Sequence, residues 1–503
     1  MKHLRYVQIA AFGLLVVAYV AIRFWGLTSS CLWFDEIFSI HAAEHSWNTL
    51  FSFVALDLIH PPLFYVLLKL WIGVGGENLA WLRMFPALFS IVSLVPLILF
   101  LREVKQNTQV QLICLFLLTV NGSLLKYSQE VRMYSLLMCI ALFSMWLFAR
   151  YFVKGKSFIP LLIVNILLVY THYFGWFVVV SEIVAILVFQ RIKWRRILTM
   201  FAIIFAGFVP WIFAVWQAAH SGSELSQNIG WVTRPGPREV FTFVINLIEP
   251  FYYQASSIDP ISFYRVSIPI LLIGAVSVVL YILNWKHQSD DEKQCVYLLI
   301  NYVMLPVVAA FAASWLLPYS IWGSRHLIIV FAPVSIILAI ALSNIRIHAV
   351  RVAALTITIL FSGYGFVSFS ANAAPDYSWC AWEPLVEQAS IDDVNIYAFE
   401  DLVAYHIWFA ERNRQKNAKV FRVRDIEGIA EDKAYFLPRG FEEIVSIDFD
   451  DIHEPKFWIA YRFKSIDERE PPLRNFIVKG YHIVDQRFIA ARNENAIFLL
   501  LEK

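Results

Sequence analysis

The sequence predicts a polytopic α-helical membrane protein that ends in a small soluble α/β domain. Three observations carry that reading. The chain is 59% hydrophobic and 16% charged over 503 residues, with a mean hydropathy of +0.61, which excludes a soluble globular class. The apolar residues gather into stretches suited to a hydrocarbon core of roughly 30 Å, which takes about 20 helical residues to cross. Beyond about Ser370 the pattern changes: charge rises, and short strand-like runs alternate with helix-like ones.

Taken in order, the candidate spans are residues 6–26, 80–101, 109–125, 133–150, 157–171, 173–190, 197–217, 263–284, 295–317, 327–343 and 351–370, about eleven in all. The first follows Lys2 and Arg5 and lacks a small-residue cleavage pattern, so it reads as a retained signal anchor. One set of connections holds the basic residues: Lys2/Arg5, Arg102/Lys105, Arg150/Lys154/Lys156, Arg191/Lys193/Arg195/Arg196, Lys286/Lys293 and Arg346/Arg351. By the positive-inside tendency these lie in the cytoplasm. The intervening connections, residues 28–78, 126–132, 171–173, 218–262 and 318–326, then face outside with the C-terminal tail. That alternation requires His60–Val74 not to span. The segment opens with Pro61-Pro62, carries Lys69 and ends in glycines, which suits an interfacial helix.

The predicted organisation is therefore a membrane domain over residues 1–370, with an outer loop and interfacial helices over 28–79, and an extracytoplasmic α/β domain over 371–503. In the tail, Asn395–Phe399, Lys433–Leu437 and Phe457–Tyr461 read as strands and Asp401–Arg412 as a helix, with the domain boundary at Asn372–Asp376. A net charge of +2 argues against a nucleic-acid partner. The five cysteines show neither CxxC spacing nor a disulfide framework, although Cys31 and Cys380 fall on the same oxidising face.

Polar side chains cluster where spans meet the outer side. Asp35 and Glu36 follow Leu32-Trp33-Phe34; a carboxylate there either caps a helix start or, partly desolvated, serves as a general base. His60 precedes Pro61-Pro62 and either meets an anion or is a solvated residue in an extended turn. Lys126, Glu130, Arg132 and Tyr134 stand at one span boundary, where arginine can fork onto phosphate oxygens and tyrosine can simply mark an interface. Thr171-His172-Tyr173 reads more readily as a local cap or packed histidine. Arg234 lies in a long outer loop, as an anchor or part of a cover. Arg325 and His326 form a basic pair at an outward end, against the positive-inside tendency, and call for a partner such as phosphate. There is no P-loop, GxGxxG, GxSxG or HExxH, so neither ATP-driven transport nor zinc hydrolysis is supported.

Four elements taken together resemble the polyprenyl-phosphate-dependent membrane glycosyltransferases of the GT-C fold. More narrowly, they look like the bacterial family 39/83 enzymes related to protein mannosyltransferases and to the aminoarabinose transferase of lipid A. The elements are Trp33-Phe34-Asp35-Glu36, His60-Pro61-Pro62-Leu63-Phe64-Tyr65, Tyr127 through Tyr134, and Ser324-Arg325-His326 with Pro333. The resemblance implies sugar transfer from a polyprenyl-phosphate donor to a lipid, glycan or protein acceptor on the outer face of a bacterial cytoplasmic membrane. It casts Asp35 as catalytic base or acceptor-orienting carboxylate, with Glu36 supporting it. His60, Lys126, Glu130, Arg132, Tyr134, Arg234, Arg325 and His326 fall to donor-phosphate or substrate binding. The sequence departs from some relatives in having histidine at 60 where they have lysine, and Ile59 where they have glutamate. No cofactor is required and no metal ligand is assigned, although a divalent metal is compatible. The rival from another class is a lipid-linked sugar flippase or transporter, which needs ionisable residues along the span interiors.

Overall fold

A computed structural model describes every residue except 1, 190–193, 221–224, 252–262, 372–377, 389–393, 413–417, 428, 430–435 and 492–493. The chain divides into two compact units. One comprises Met1–Leu27, Ile59–Gln217 and Val232–Ala373; the other comprises Thr28–Leu58, Ala218–Trp231 and Ala374–Lys503.

The first unit is helical. Among the described residues, 8 helices are long and apolar enough to cross a membrane: Tyr6–Phe24, Leu79–Glu103, Tyr134–Phe152, Leu198–His220, Tyr264–Leu283, Asp290–Leu316, His326–Ser343 and His348–Ser368. The chain is a multi-pass membrane protein. Three further segments expected to span form shorter helices, Thr108–Val120, Phe158–Thr171 and Gly175–Phe189. The segment read as interfacial forms the 13-residue helix Leu63–Gly75, beginning directly after Pro61-Pro62.

Burial separates centre from periphery. The Tyr134–Phe152 and His326–Ser343 helices are 78% and 72% buried, whereas Tyr6–Phe24 and His348–Ser368 are 11% and 17% buried. The outer helices expose Leu14, Val17, Leu272, Val276, Leu360 and Val367, as a hydrocarbon solvent permits. Helix ends are closed locally: Asn107 accepts from Val110 N–H, and Ser289 from Glu292 N–H. At the end of Thr108–Val120, buried Arg23 donates to the Leu118 and Thr119 carbonyls at 2.9 and 3.0 Å. A cation there satisfies carbonyls that the helix leaves unpaired.

The second unit is built on a six-stranded sheet of order β3-β2-β1-β4-β6-β5. The strands are β1 (Ile396–Ala398), β2 (Val420–Arg424), β3 (Val445–Asp448), β4 (Lys456–Phe463), β5 (His482–Ile489) and β6 (Asn495–Glu502). β1 pairs in parallel with β2 and β4, and β2 with β3, while β6 runs antiparallel to both β4 and β5. The helix Asp401–Arg412 follows β1, as its sequence predicts. Phe399, Phe457, Ile459, Phe476 and Leu499 form the core. Of the expected strands, Asn395–Phe399 and Phe457–Tyr461 contain β1 and part of β4. Most of Lys433–Leu437 lies outside the described residues, as do the boundary Asn372–Asp376 and the basic residues Arg191 and Lys193.

The Thr28–Leu58 segment belongs to this unit. Its helix Phe34–Glu44 packs on Asp401–Arg412 through Phe34 against Tyr405, with ring centroids 5.2 Å apart. His41 Nδ1 lies 2.9 Å from the Tyr405 hydroxyl, and Arg412 pairs with Glu44. Arg439 donates to the Leu56 carbonyl at 2.7 Å. A disulfide joins Cys31 to Cys380 across 349 residues. This corrects the reading of no disulfide framework: bonds between remote segments leave no spacing pattern to find.

Candidate functional site

The residues singled out at the span boundaries converge within the helical unit. The short helix Gly122–Ser128, capped by Asn121 accepting from Leu124 N–H, gives way to a tight turn in which Arg132 N–H donates to the Glu130 carbonyl at 2.6 Å. The helix Tyr134–Lys154 then begins. This turn buries Glu130, Arg132 and Tyr134. Arg132 Nη2 lies 3.2 Å from His60 Nε2. Guanidinium can only donate, so Nε2 is the acceptor and the His60 proton is assigned to Nδ1.

The ring of His172 lies 5.8 Å from that of His60 and 5.2 Å from that of His326. It occupies the connection between helices Phe158–Thr171 and Gly175–Phe189. Gly175 permits this sharp reversal, because a Cβ there would sit 2.6 Å from the Leu168 carbonyl oxygen. His172 Nδ1 accepts from Phe174 N–H at 3.1 Å. Its pKa falls well below the usual imidazole value, first through burial and then through His326, His60, Arg132 and Arg325.

The fourth segment brings Ser324, Arg325 and His326. Gly323 keeps the turn open to the imidazole, since a Cβ there would lie 3.0 Å from His326 Nδ1. The His326 ring stands 6.3 Å from Tyr134 and 5.3 Å from Phe174. Tyr127 packs edge-on to Tyr134 at 5.1 Å. Burial pushes its phenol up to about 12, and Glu130 adds to this, while Arg325 and a hydrogen bond with Ser324 oppose it. Lys126 Nζ is 5.7 Å from the centre of the Tyr127 ring.

His60, Glu130, Arg132, Tyr134, Arg325 and His326 are thus brought together, with Lys126 against Tyr127. Arg234 is engaged with another segment: it donates to the Leu317 and Pro318 carbonyls at 3.3 and 3.4 Å and lies over Trp315. Asp35 and Glu36 belong to the other unit, in the first turn of Phe34–Glu44. Glu36 is buried, and its Oε2 accepts from Trp33 N–H at 3.2 Å, the helix-start bond weighed for Asp35 from the sequence. Among the described residues, no group of three or more His, Cys, Asp or Glu is arranged to hold a metal ion.

Sequence reasoning missed His172 as a neighbour of the cluster. The available signal was its place at an outer end, between two apolar runs too close together for anything but a turn.

Neither a protein-family model nor a curated protein sequence matches the chain. Solved structures do. The chain is similar to ArnT from Cupriavidus metallidurans in the apo state, with 11% identity, 98% of each chain covered and a TM-score of 0.61. The same protein bound to undecaprenyl phosphate gives 11% identity, 97% of each chain and a TM-score of 0.57. The archaeal oligosaccharyltransferase AglB from Archaeoglobus fulgidus, in complex with an inhibitory peptide and a dolichol-phosphate, gives 12% identity, 81% of this chain and 64% of that chain, and a TM-score of 0.49. The likeness to ArnT extends over both units and establishes the GT-C fold that the sequence resembles.

Proposed function

We propose that this GT-C-fold membrane protein is a glycosyltransferase that moves a sugar from a polyprenyl-phosphate donor to a lipid, glycan or protein acceptor. The reaction takes place on the outer face of a bacterial cytoplasmic membrane. The observation that carries the reading is the gathering of buried Arg132, His60 and His172 with half-buried Arg325 and His326 at one set of helix junctions. It occurs in a fold shared with a protein solved with undecaprenyl phosphate bound. Guanidinium groups in a low-dielectric site suit a lipid phosphate, both in the donor and as the departing group.

In this reading Asp35 takes the proton of the acceptor hydroxyl, with Glu36 fixing the helix start that carries it. The acceptor oxygen bonds to the anomeric carbon as the bond from that carbon to the phosphate oxygen breaks. The phosphate leaves with its electron pair, held by Arg132, Arg325 and His60, while His326, Lys126, Glu130 and Tyr134 complete the donor site. No cofactor is needed, because the donor carries its own leaving group and the arginines supply positive charge. A divalent metal is not demanded by this chemistry.

The outward orientation is supported by the basic connections on the opposite side and by the Cys31–Cys380 disulfide, which belongs to an oxidising compartment. Both cysteines are therefore expected to resist a maleimide reagent until a reductant is added; immediate labelling of both in intact cells would contradict the orientation.

The flippase reading has one observation in its favour, the ionisable Glu182 inside the Gly175–Phe189 helix. That side chain is tied to Ser144 and Asn165 at 2.5 and 2.6 Å. The two readings separate in a transfer assay with a labelled polyprenyl-phosphate sugar, comparing wild type with Asp35→Asn. Loss of a general base lowers transfer by about 10²- to 10⁴-fold. Transfer unchanged in Asp35→Asn would remove Asp35 from the chemistry, and translocation of the intact lipid-sugar without transfer by the wild type would favour the flippase.

A further inference from the structure

We propose that His172 is a substrate-binding residue, a neutral imidazole that donates Nε2–H to a phosphoryl oxygen of the lipid carrier. The proposal rests on the donor-phosphate reading above and adds to it a residue that no motif in the sequence assigns.

The argument begins with the tautomer. A backbone N–H can only donate, so the 3.1 Å bond from Phe174 N–H to His172 Nδ1 makes that nitrogen the acceptor. The ring proton then belongs to Nε2. The contact is local and is built into the reversal at Gly175, so the turn itself sets the tautomer. Burial and the surrounding guanidinium groups keep the ring from gaining a second proton.

His172 thus has one donor to give, and Nε2–H makes no hydrogen bond to any described residue. The ring is only 3% exposed, and it lies between the rings of His60 and His326. A ligand that brings an acceptor to this N–H gains a hydrogen bond that the protein does not already supply. His60 cannot serve, because its Nε2 is taken by Arg132 and its own proton sits on Nδ1. Beside Arg132 and Arg325, the acceptor that the local charge collects is an anion. The division of labour follows: the guanidinium groups supply charge, while His172 supplies a directed hydrogen bond that adds no charge of its own.

Two substitutions separate this role from a structural one. The asparagine amide reaches the place of a histidine Nδ1, so His172→Asn can still accept from Phe174 N–H but lacks the distal donor. The glutamine amide reaches the place of Nε2, so His172→Gln keeps the distal donor and gives up the bond to Phe174. The measurement is binding of undecaprenyl phosphate to the full chain in detergent, beside uncharged undecaprenol, together with the melting temperature of each unliganded variant.

The expected pattern is a His172→Asn protein that melts like wild type yet binds undecaprenyl phosphate at least about tenfold more weakly, the loss expected for one hydrogen bond to a charged group. His172→Gln is expected to melt lower but to stay within about threefold of wild-type affinity, since it retains the donor. Undecaprenol binding should be the same in all three. Wild-type affinity for undecaprenyl phosphate in His172→Asn, or an equal loss for undecaprenol, overturns the role of His172 and leaves the donor site standing. A wild type with no preference for the phosphate over the alcohol overturns the donor-phosphate reading, and the role of His172 with it.

Discussion

Two polar groups lie within the same helical unit, and they are built differently. The first is the knot of Ser144, Asn165 and Glu182, one residue from each of three successive helices. Ser144 Oγ stands 2.5 Å from both Asn165 Oδ1 and Glu182 Oε1, and Asn165 Nδ2 donates to Glu182 Oε2 at 2.6 Å. All three side chains are fully buried. The second is the cluster around His172, whose residues come from helix junctions rather than helix interiors. There two guanidinium groups, three imidazoles and the Glu130 carboxylate lie close together, and the His172 Nε2 donor is left over. Inside a membrane a polar side chain is retained either because it bonds its neighbours or because it receives something from outside. The knot answers to the first account, and the phosphate site proposed for the cluster would answer to the second.

The contrast breaks most visibly at Arg132. Arg132→Ala should weaken undecaprenyl phosphate binding by about 10- to 100-fold, the range for losing a hydrogen-bonded charge pair. Arg132→Lys should recover part of that loss, because it restores charge without the fork. Titration calorimetry or a competition assay reads both. Equal binding by all three proteins would place the phosphate elsewhere.

Glu182→Ala addresses the other side. It leaves Ser144 and Asn165 short of partners, at a cost of about 1–3 kcal/mol in stability. Its effect should appear as a lower melting temperature in detergent, with phosphate affinity unchanged in the protein that remains folded. A loss of affinity at unchanged melting temperature would make the knot a second ligand site.

Acidification gives a smaller effect. Because the His172 pKa is depressed in the fold, its contribution to stability is complete above the unfolded value of about 6.5 and is lost as pH falls below it. Between pH 7 and 8 the ring is neutral in both states, so stability and phosphate binding should be flat in this group. A midpoint near 7 in the binding curve that His172→Gln abolishes would show a protonated ring instead. Glu182→Gln should lower the melting temperature less than Glu182→Ala, because the amide keeps the shape and two polar atoms to face Ser144 and Asn165.

Much of this was legible in the sequence, for reasons that also mark where legibility ends. Hydropathy located the helices because a membrane imposes length and apolarity on every span. The three short helices Thr108–Val120, Phe158–Thr171 and Gly175–Phe189 fall below that length, so hydropathy alone does not fix their extent. The Asp401–Arg412 helix and strands β1 and β4 carried local patterns, whereas β2, β3, β5 and β6 were not picked out beforehand.

At the site, Arg132, Arg325, His60 and His326 stood out by charge at an outward end. His172 did not, because its role depends on a bond to Phe174 and on rings supplied by segments far away in sequence. Cys31 and Cys380 were placed on one oxidising face, but their bond could not be assigned, because it joins segments 349 residues apart. Glu182 qualifies the expectation that ionisable groups sit mostly at outer ends: it lies within a helix, and its partners are near enough in sequence to belong to adjacent helices.

The measurement that bears most directly on the central claim is an experimental structure of the protein with undecaprenyl phosphate bound. The account predicts the phosphate within hydrogen-bond reach of Arg132, Arg325 and His172 Nε2, with the Ser144–Asn165–Glu182 knot unchanged. A phosphate seated away from all three, with the cluster as it stands without ligand, would contradict it.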